Sequence, residues 1–276
     1  MKGGDYCNHS NIKFAKVKNS NLLPDPGMEK PNGTTFDNQL IELDSVDSTN
    51  NYAMARIHEG LASDGLVCLA RHQWAGKGQR GKTWQSEPGQ NLIMSLVIEP
   101  APLVLSRQFL FSAAVALGIM DLILTIGPDH WSIKWPNDIY WDDRKTAGIL
   151  VENVIRGNSW LYAVAGVGMN LNQESFPAEI RNAISLKQIT GKHYDPVLFA
   201  RELVPAIQNR ISELRDQPDQ ILKDFNENLY RRNQTVLLKK GNDFIETLLK
   251  GVNGDGSLQT EYGEFALGEV EFTVGR

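Results

Sequence analysis

The segment SRQFLFSAAVALGIMDLILTI, from Ser106 to Ile126, constrains the fold more than any other part of the chain. It is apolar nearly all round as a helix, and such a helix has to be buried. Strand-like segments surround it in the sequence. GLVCLAR and NLIMSLVIEP precede it, and SIKWPNDIYW, DDRKTAGILVENVI and SWLYAVAGVGMNLN follow it. We therefore predict a helix buried against a sheet and an α/β fold class.

Capping residues and apolar stripes predict the other elements. A strand at Leu40–Leu43 leads to the N-cap types Asp47, Ser48 and Thr49 and to a helix that ends near His58. Asp195-Pro196 begins a longer helix, in which Pro205 predicts a kink. Its core-facing stripe consists of Leu203, Ile207, Ile211 and Leu214, and a further helix covers roughly residues 219–230.

The pattern changes at Gln234 to short strands separated by the turns GND, NGDGS and GE, which is typical of a small β barrel. Residues 1–38 are polar and aperiodic, which predicts a poorly ordered extension. We therefore predict three parts: the extension 1–38, an α/β domain at 39–232, and a β domain at 233–276.

Charge and cysteine content exclude several classes of protein. A net charge of -5 argues against a general nucleic-acid binder. Cys7 and Cys68 are too few for a disulfide framework or a cysteine metal site, and Cys68 lies in an apolar run that predicts a buried thiol. No apolar run approaches the roughly 20 residues of a membrane helix, and the N-terminus lacks a signal-like stretch. We expect a cytoplasmic protein without a membrane partner.

A glycine- and cation-rich loop, HQWAGKGQRGKTW, occupies His72–Trp84 and contains the phosphate-loop pattern G-x-x-x-x-G-K-T. A true phosphate loop opens a helix, but the next residues are WQSEPGQN, and Pro88 and Gly89 prevent a helix there. We therefore interpret the pattern match as accidental and do not favour a phosphate-loop hydrolase. The flexible backbone and the charges of Lys77, Arg80 and Lys82 still suit a phosphate or a carboxylate.

Three further stretches accompany this loop. IKWPNDIYW places Asn137 and Asp138 at a strand edge, RKTAGILVE places Lys145 at the start of an apolar strand, and AGVGMNLN interrupts a strand with glycines. Each has an ordinary structural explanation: a turn, an edge lysine, a tight backbone contact. Their joint occurrence favours a ligand-binding site.

Together these stretches resemble the biotin protein ligases. The similarity runs from about Ile41 to the C-terminus and rests on DSTN, GKGQRG, KWPND, KTAGILVE and GVGMN in that order. The resemblance implies a class II synthetase-like catalytic domain with a mixed sheet, followed by an SH3-like barrel. It also implies a two-step ligation, in which biotin and MgATP form biotinyl-5′-adenylate and the acyl group then passes to a lysine of a biotin carboxyl carrier domain. We expect a monomer or a homodimer.

The resemblance also implies roles for individual residues. Lys145 would be the catalytic cation that neutralises the biotin carboxylate and the α-phosphate. Asp138 would face the metal of MgATP. The residues implied to bind biotin are Ser48, Thr49, Asn50, Gln73, Gly76, Lys77, Gly78, Gln79, Lys145, Gly148, Gly166 and Gly168. The residues implied to bind ATP or the adenylate are Lys77, Arg80, Trp84, Asn137, Asp138 and Asn170.

The sequence departs from the family pattern in the loop, where Lys77 and Gln79 replace two usual arginines. Lys77 keeps a cation without the bidentate fork, and Gln79 loses the charge. The winged DNA-binding domain of bifunctional members is absent from the pattern, so we do not expect a repressor. Two alternatives stay open: a lipoate or octanoate ligase of similar fold, and a non-catalytic biotin or nucleotide sensor. Biotin-independent ATP hydrolysis would revive the phosphate-loop hydrolase as a third.

Overall fold

The computed structural model of the chain describes Phe36 and residues 39–180 and 182–273. The predicted extension therefore lies outside the described residues, apart from Phe36, which is buried in the main hydrophobic core.

The larger sheet has seven strands in the order β1-β2-β3-β7-β6-β5-β4. β1 pairs in parallel with β2, whereas the other neighbours are antiparallel, so the sheet is mixed as predicted. The strands are β1 (Leu40–Leu43), β2 (Val67–Ala70), β3 (Leu92–Ile98), β4 (Trp131–Lys134), β5 (Asp138–Trp141), β6 (Arg144–Arg156) and β7 (Ser159–Met169).

The helices comprise α1 (Thr49–His58), α2 (Gln108–Ile126), α3 (Leu186–Thr190), α4 (Pro196–Asp216) and α5 (Pro218–Glu227). Asp195 caps α4 as predicted, since its side chain accepts hydrogen bonds from the backbone nitrogens of Val197 and Leu198. The predicted stripe of α4 is buried, and the helix continues through Pro205.

Helix α2 is the core helix that the sequence predicts. It packs closely on α4, because a Cβ atom at Gly118 would lie 2.6 Å from Cα of Ile207. Arg210 of α4 joins the helices further, with ion pairs to Asp121 of α2 and Asp224 of α5.

The expectation that no segment reaches membrane-spanning length was wrong. Leu105–Ile126 spans 22 residues with a hydropathy of 2.2, which meets that requirement by length and composition. Asp121 interrupts the apolar run but does not lower the mean enough. Since 67% of the most apolar window is buried inside the protein, α2 serves as a core helix.

A second sheet follows α5. Its strands are β8 (Thr235–Lys240), β9 (Asp243–Val252), β10 (Leu258–Thr260), β11 (Glu264–Phe265) and β12 (Glu271–Phe272). All its pairings are antiparallel, in the order β11-β10-β9-β8-β12. Trp135, in the turn between β4 and β5, donates its indole N–H to the carbonyl of Gly256, which fixes this second sheet against the first.

Candidate active site

A cavity of about 240 Å³ lies between the two sheets and under the glycine-rich loop. Of the residues that the sequence assigns to a site, all line it except Gly76 and Asn170. Those in the lining are Ser48, Thr49, Asn50, Gln73, Lys77, Gly78, Gln79, Arg80, Trp84, Asn137, Asp138, Lys145, Gly148, Gly166 and Gly168. Residues far apart in the chain thus meet at one place.

The start of α1 forms a buried polar floor. The backbone nitrogen and hydroxyl of Thr49 donate to Oε1 of Gln73 at 2.6 and 3.0 Å. Asn50 donates to the Leu150 carbonyl and to the Glu152 carboxylate, at 3.2 and 2.8 Å. Ser48 caps the helix without a side-chain hydrogen bond to it. This floor presents fixed polar groups, which suits the oriented binding of a polar ring.

Ser95 belongs to the same floor, although no sequence motif includes it. Its hydroxyl lies 2.8 Å from Oγ1 of Thr49 and 2.6 Å from Oδ1 of Asn50, and it is fully buried. The only signal is a single serine within the apolar strand LIMSLVI. Ser95 therefore fixes the orientation of two lining side chains.

The glycine-rich loop is a hydrogen-bonded hairpin and not a phosphate loop. Gly78 N–H donates to the carbonyl of Lys82 at 2.7 Å, and Trp84 N–H donates to the carbonyl of Gly76 at 2.9 Å. A short 3-10 turn at Gln79–Gly81 contains Arg80 with a φ of 55°, and the next regular element is β3. The rejection of the phosphate-loop interpretation is confirmed.

Gly76 shapes this hairpin from outside the cavity. A Cβ atom there would lie 2.4 Å from the backbone oxygen of Trp84 and 2.8 Å from Nε2 of Gln73. The backbone of Trp84 could not approach a larger residue so closely. We assign Gly76 a packing role in the loop.

Trp84 lies flat on the glycines of β6 and β7. A Cβ atom at Gly168 would lie 2.4 Å from Cε2 of its indole, and one at Gly148 would lie 3.3 Å from Cζ3. The Lys145 ammonium lies 5.6 Å from the centre of the same ring. The strand glycines therefore make room for an aromatic wall beside the lysine.

Asn170 lies behind the cavity wall. It is buried, and its side chain is oriented toward the carbonyls of Lys145 and Ile184, each at 3.4 Å. This geometry supports the start of β6 and does not present the amide to an adenylate. By contrast, Asn137 lines the cavity and donates to the carbonyl of Ile149 at 2.5 Å.

Three cavity lysines are paired with carboxylates. The Lys145 ammonium lies 2.6 Å from Asp138, while Lys77 lies 3.5 Å from Glu152 and Lys82 lies 3.5 Å from Glu271. Because Asp138 is engaged by a cation at contact distance, it is poorly suited to hold a metal ion. Within the described part of the chain, no group of three or more His, Cys, Asp or Glu side chains could hold one.

Lys134, within KWPND, also lines the cavity, although the family resemblance implied no role for it. Its ammonium donates to the hydroxyl of Tyr140 at 3.2 Å. Burial lowers the pKa of Lys134 to about 8, and the nearby charges of Lys145 and Lys82 act in the same direction. A lysine of this kind is partly neutral near physiological pH.

The second sheet closes one side of the cavity through Val270, Glu271 and Phe272. The Arg80 guanidinium reaches the turn between β11 and β12, since a Cβ atom at Gly268 would lie 3.0 Å from its Nη2. Val270, Glu271 and Phe272 were not predicted as part of the site, because a strand of two residues carries no sequence signal for such a contact.

The fold and the cavity together define a class: an α/β protein with a cavity, lined by lysines and an arginine, between a mixed sheet and an antiparallel one. Comparison with known proteins narrows the class. The biotin/lipoate A/B protein ligase family matches residues 42–170. The biotin--[acetyl-CoA-carboxylase] ligase of Paracoccus denitrificans is 35% identical over 170 residues, which cover 59% of this chain and 69% of that protein.

Other relatives agree. The bifunctional ligase/repressor BirA of Escherichia coli (strain K12) is 37% identical over 131 residues, which cover 47% of this chain and 39% of that protein. The chain spans about half or less of the length of the bifunctional relatives that it matches. A structure of biotin protein ligase from Aquifex aeolicus in complex with biotin and ATP aligns with a TM-score of 0.72 and 26% identity, covering 86% of this chain and 99% of that one.

The chain belongs to the biotin/lipoate A/B protein ligase family, and its relatives from Paracoccus denitrificans and Aquifex aeolicus are biotin ligases.

Proposed function

We propose that this protein attaches biotin to one lysine of a biotin carboxyl carrier domain, through a biotinyl-5′-adenylate. The observation that carries the proposal is the meeting of all five family stretches around one cavity, which has a polar floor and cationic walls. The Aquifex aeolicus structure with biotin and ATP, which covers most of this chain, supports both ligands.

In this proposal the biotin head group binds on the floor. The side chains of Ser48, Thr49 and Asn50 line the cavity there, and Gln73 is held against Thr49. They provide donors and acceptors in fixed positions for a fused urea ring. The backbones of Gly166 and Gly168 border the path of the valeryl chain toward Lys145.

Lys145 is placed to stabilise the reacting carboxylate and α-phosphate. Its ammonium is fixed by Asp138 and by the face of Trp84, so little reorganisation is needed when negative charge develops. Lys77 and Arg80 also line the cavity, and their charges suit the neutralisation of phosphates. This is electrostatic catalysis by preorganised cations.

Magnesium enters this scheme as part of the substrate MgATP. The pairing of Asp138 with Lys145 argues against a resident metal on that carboxylate. ATP supplies the leaving pyrophosphate, and the chain supplies the cations that hold the adenylate.

We infer that the second sheet is the SH3-like barrel of a biotin protein ligase and that the boundary with the synthetase-like domain lies at residues 232–233. The use of ATP and the partner class support a cytoplasmic location.

The test is pyrophosphate release that depends on biotin, followed by transfer of labelled biotin to a carrier domain. Octanoate and lipoate, offered at the same concentration, test the related ligases. Release with biotin but without transfer to a carrier domain would refute the ligation step. Biotin binding without any release would identify a sensor.

A further inference from the structure

The cavity holds two kinds of lysine. Three are paired with a carboxylate: Lys77 with Glu152, Lys82 with Glu271, and Lys145 with Asp138. Lys134 has no carboxylate within 4.0 Å among the described residues, and its hydrogen-bond partner is the neutral hydroxyl of Tyr140. The first kind has a carboxylate at ion-pair distance, and Lys134 has a hydroxyl in that place.

The surroundings of Lys134 are aromatic. Its nitrogen lies 4.9 Å from the ring centre of Tyr140 and 5.9 Å from that of Phe272, and the neighbouring Trp135 is buried. Burial is the largest influence on its pKa, which falls to about 8. The ammonium groups of Lys145 and Lys82 lower this pKa further, while the carboxylates of Asp138 and Glu271 oppose the shift. Near pH 8 about half of these side chains carry a free lone pair.

The proposed second step needs such a group. A free lysine has a pKa of about 10.4, so the carrier lysine arrives as an ammonium that cannot attack an acyl carbon. The carboxylates of Asp138, Glu271 and Glu152 are each engaged by a cation. A base with a pKa near the working pH is the most effective proton acceptor.

We propose that Lys134 accepts the proton of the incoming carrier lysine in the acyl-transfer step, an inference that rests on the proposed function. Its placement fits this role. Lys134 and Asp138 are directly paired across β4 and β5, and Asp138 contacts Lys145. Lys134 is therefore separated by one side chain from the cation that we place at the acyl phosphate.

The step balances as follows. Neutral Lys134 takes one proton from the carrier ammonium, which leaves a neutral amine. The amine nitrogen attacks the acyl carbon, a C–N bond forms, and the bond between that carbon and the phosphate oxygen breaks. The nitrogen's second proton leaves with the phosphate oxygen of AMP. Lys134 then returns its proton to solvent.

The experiment separates the two half-reactions. Biotinyl-adenylate is bound to wild type, Lys134→Met and Lys134→Arg, and its transfer is timed to a carrier domain and to hydroxylamine, whose nitrogen is already neutral at pH 7. In both variants we expect transfer to the carrier lysine to fall about a hundredfold or more, while transfer to hydroxylamine stays close to wild type. The wild-type rate should level off near pH 8, and the Lys134→Met rate should rise on toward the ordinary pKa of about 10.4 of a free lysine.

Two controls keep the result interpretable. Lys223→Met removes an exposed lysine of α5 and should leave both transfers unchanged. Methionine suits the aromatic surroundings of position 134, so the thermal midpoint should not fall.

Three outcomes would overturn the inference. Equal losses with both nucleophiles would make Lys134 an orienting residue. If Lys134→Arg transfers biotin to the carrier lysine at the wild-type rate, the positive charge at position 134 is sufficient for the step. Failure of the wild type to form an adenylate would overturn the proposed function itself, and this inference with it.

Discussion

Replacing Gly166 by alanine should break the polar floor of the cavity. The new Cβ atom would lie 2.4 Å from Oδ1 of Asn50 and 3.0 Å from its Cγ, well inside ordinary contact. β7 cannot move away, because Gly166 is paired with Ser95 on one side and with Leu150 on the other. The side chain of Asn50 therefore has to give way.

The cost follows from the hydrogen bonds that Asn50 makes. Its amide oxygen lies 2.6 Å from the buried hydroxyl of Ser95, and its nitrogen donates to Glu152 at 2.8 Å. A buried neutral hydrogen bond contributes about 1 kcal/mol and one to a charged group about 1.5–3 kcal/mol, so we expect a loss of about 2.5–4 kcal/mol. Biotin-dependent pyrophosphate release should fall as well.

The assay is urea unfolding at 25 °C followed by tryptophan fluorescence. Gly254→Ala is the matched control, because a Cβ atom there meets only Cδ2 of Leu222 at 3.9 Å. We expect that control to stay within about 0.5 kcal/mol of wild type. If Gly166→Ala also stays within that range, the closeness of Asn50 is not a constraint, and the account of the floor is wrong.

Three further predictions follow from the same geometry. Lys145→Ala should lower biotin-dependent pyrophosphate release about 10²–10³-fold, a loss of about 2.7–4 kcal/mol of transition-state stabilisation; near-normal release would contradict its role. Gln79→Arg should slow the dissociation of preformed biotinyl-adenylate, measured by chase with unlabelled ligand, because it adds a cation to the hairpin, and adding Lys77→Arg should slow it further. Hydrogen bonds from Tyr230, and then from Arg231, lower the pKa of the Asp143 carboxyl. Its stabilising contribution is therefore present above the ordinary carboxyl pKa and is lost as pH falls through the lowered value, so thermal midpoints of Asp143→Asn and wild type should converge in acid. A constant difference at every pH would contradict that linkage.

The elements with strong local signals were predictable from the sequence. The apolar run of α2, the Asp195 cap of α4 and the strand Leu40–Leu43 follow from local periodicity and capping, and the structure has all three. In the site, the stretches with unusual composition were found in the same way, and they line one cavity.

The rest depends on contacts between distant residues. Ser95 looks like any residue of a buried strand until it meets Thr49 and Asn50 across 45 or more positions. Glu271 belongs to a two-residue strand, and its pairing with Lys82 arises from how the second sheet packs. The lowered pKa of Lys134 depends on its burial, which the motif KWPND does not encode. Local patterns therefore predict the helices and strands, whereas tertiary packing determines the contacts and the pKa values of these residues.

The sharing of the cavity by both sheets has a thermodynamic consequence. A ligand that touches Gly166 on the first sheet and Phe272 on the second binds only when both sheets are folded and in place. A free ligand concentration of about a hundred times the dissociation constant adds about 2.7 kcal/mol to the free energy of unfolding. Because the ligand bridges the two sheets, that free energy opposes the loss of either one. Calorimetry with saturating ligand should then show one sharpened unfolding transition. The second sheet should not unfold before the first.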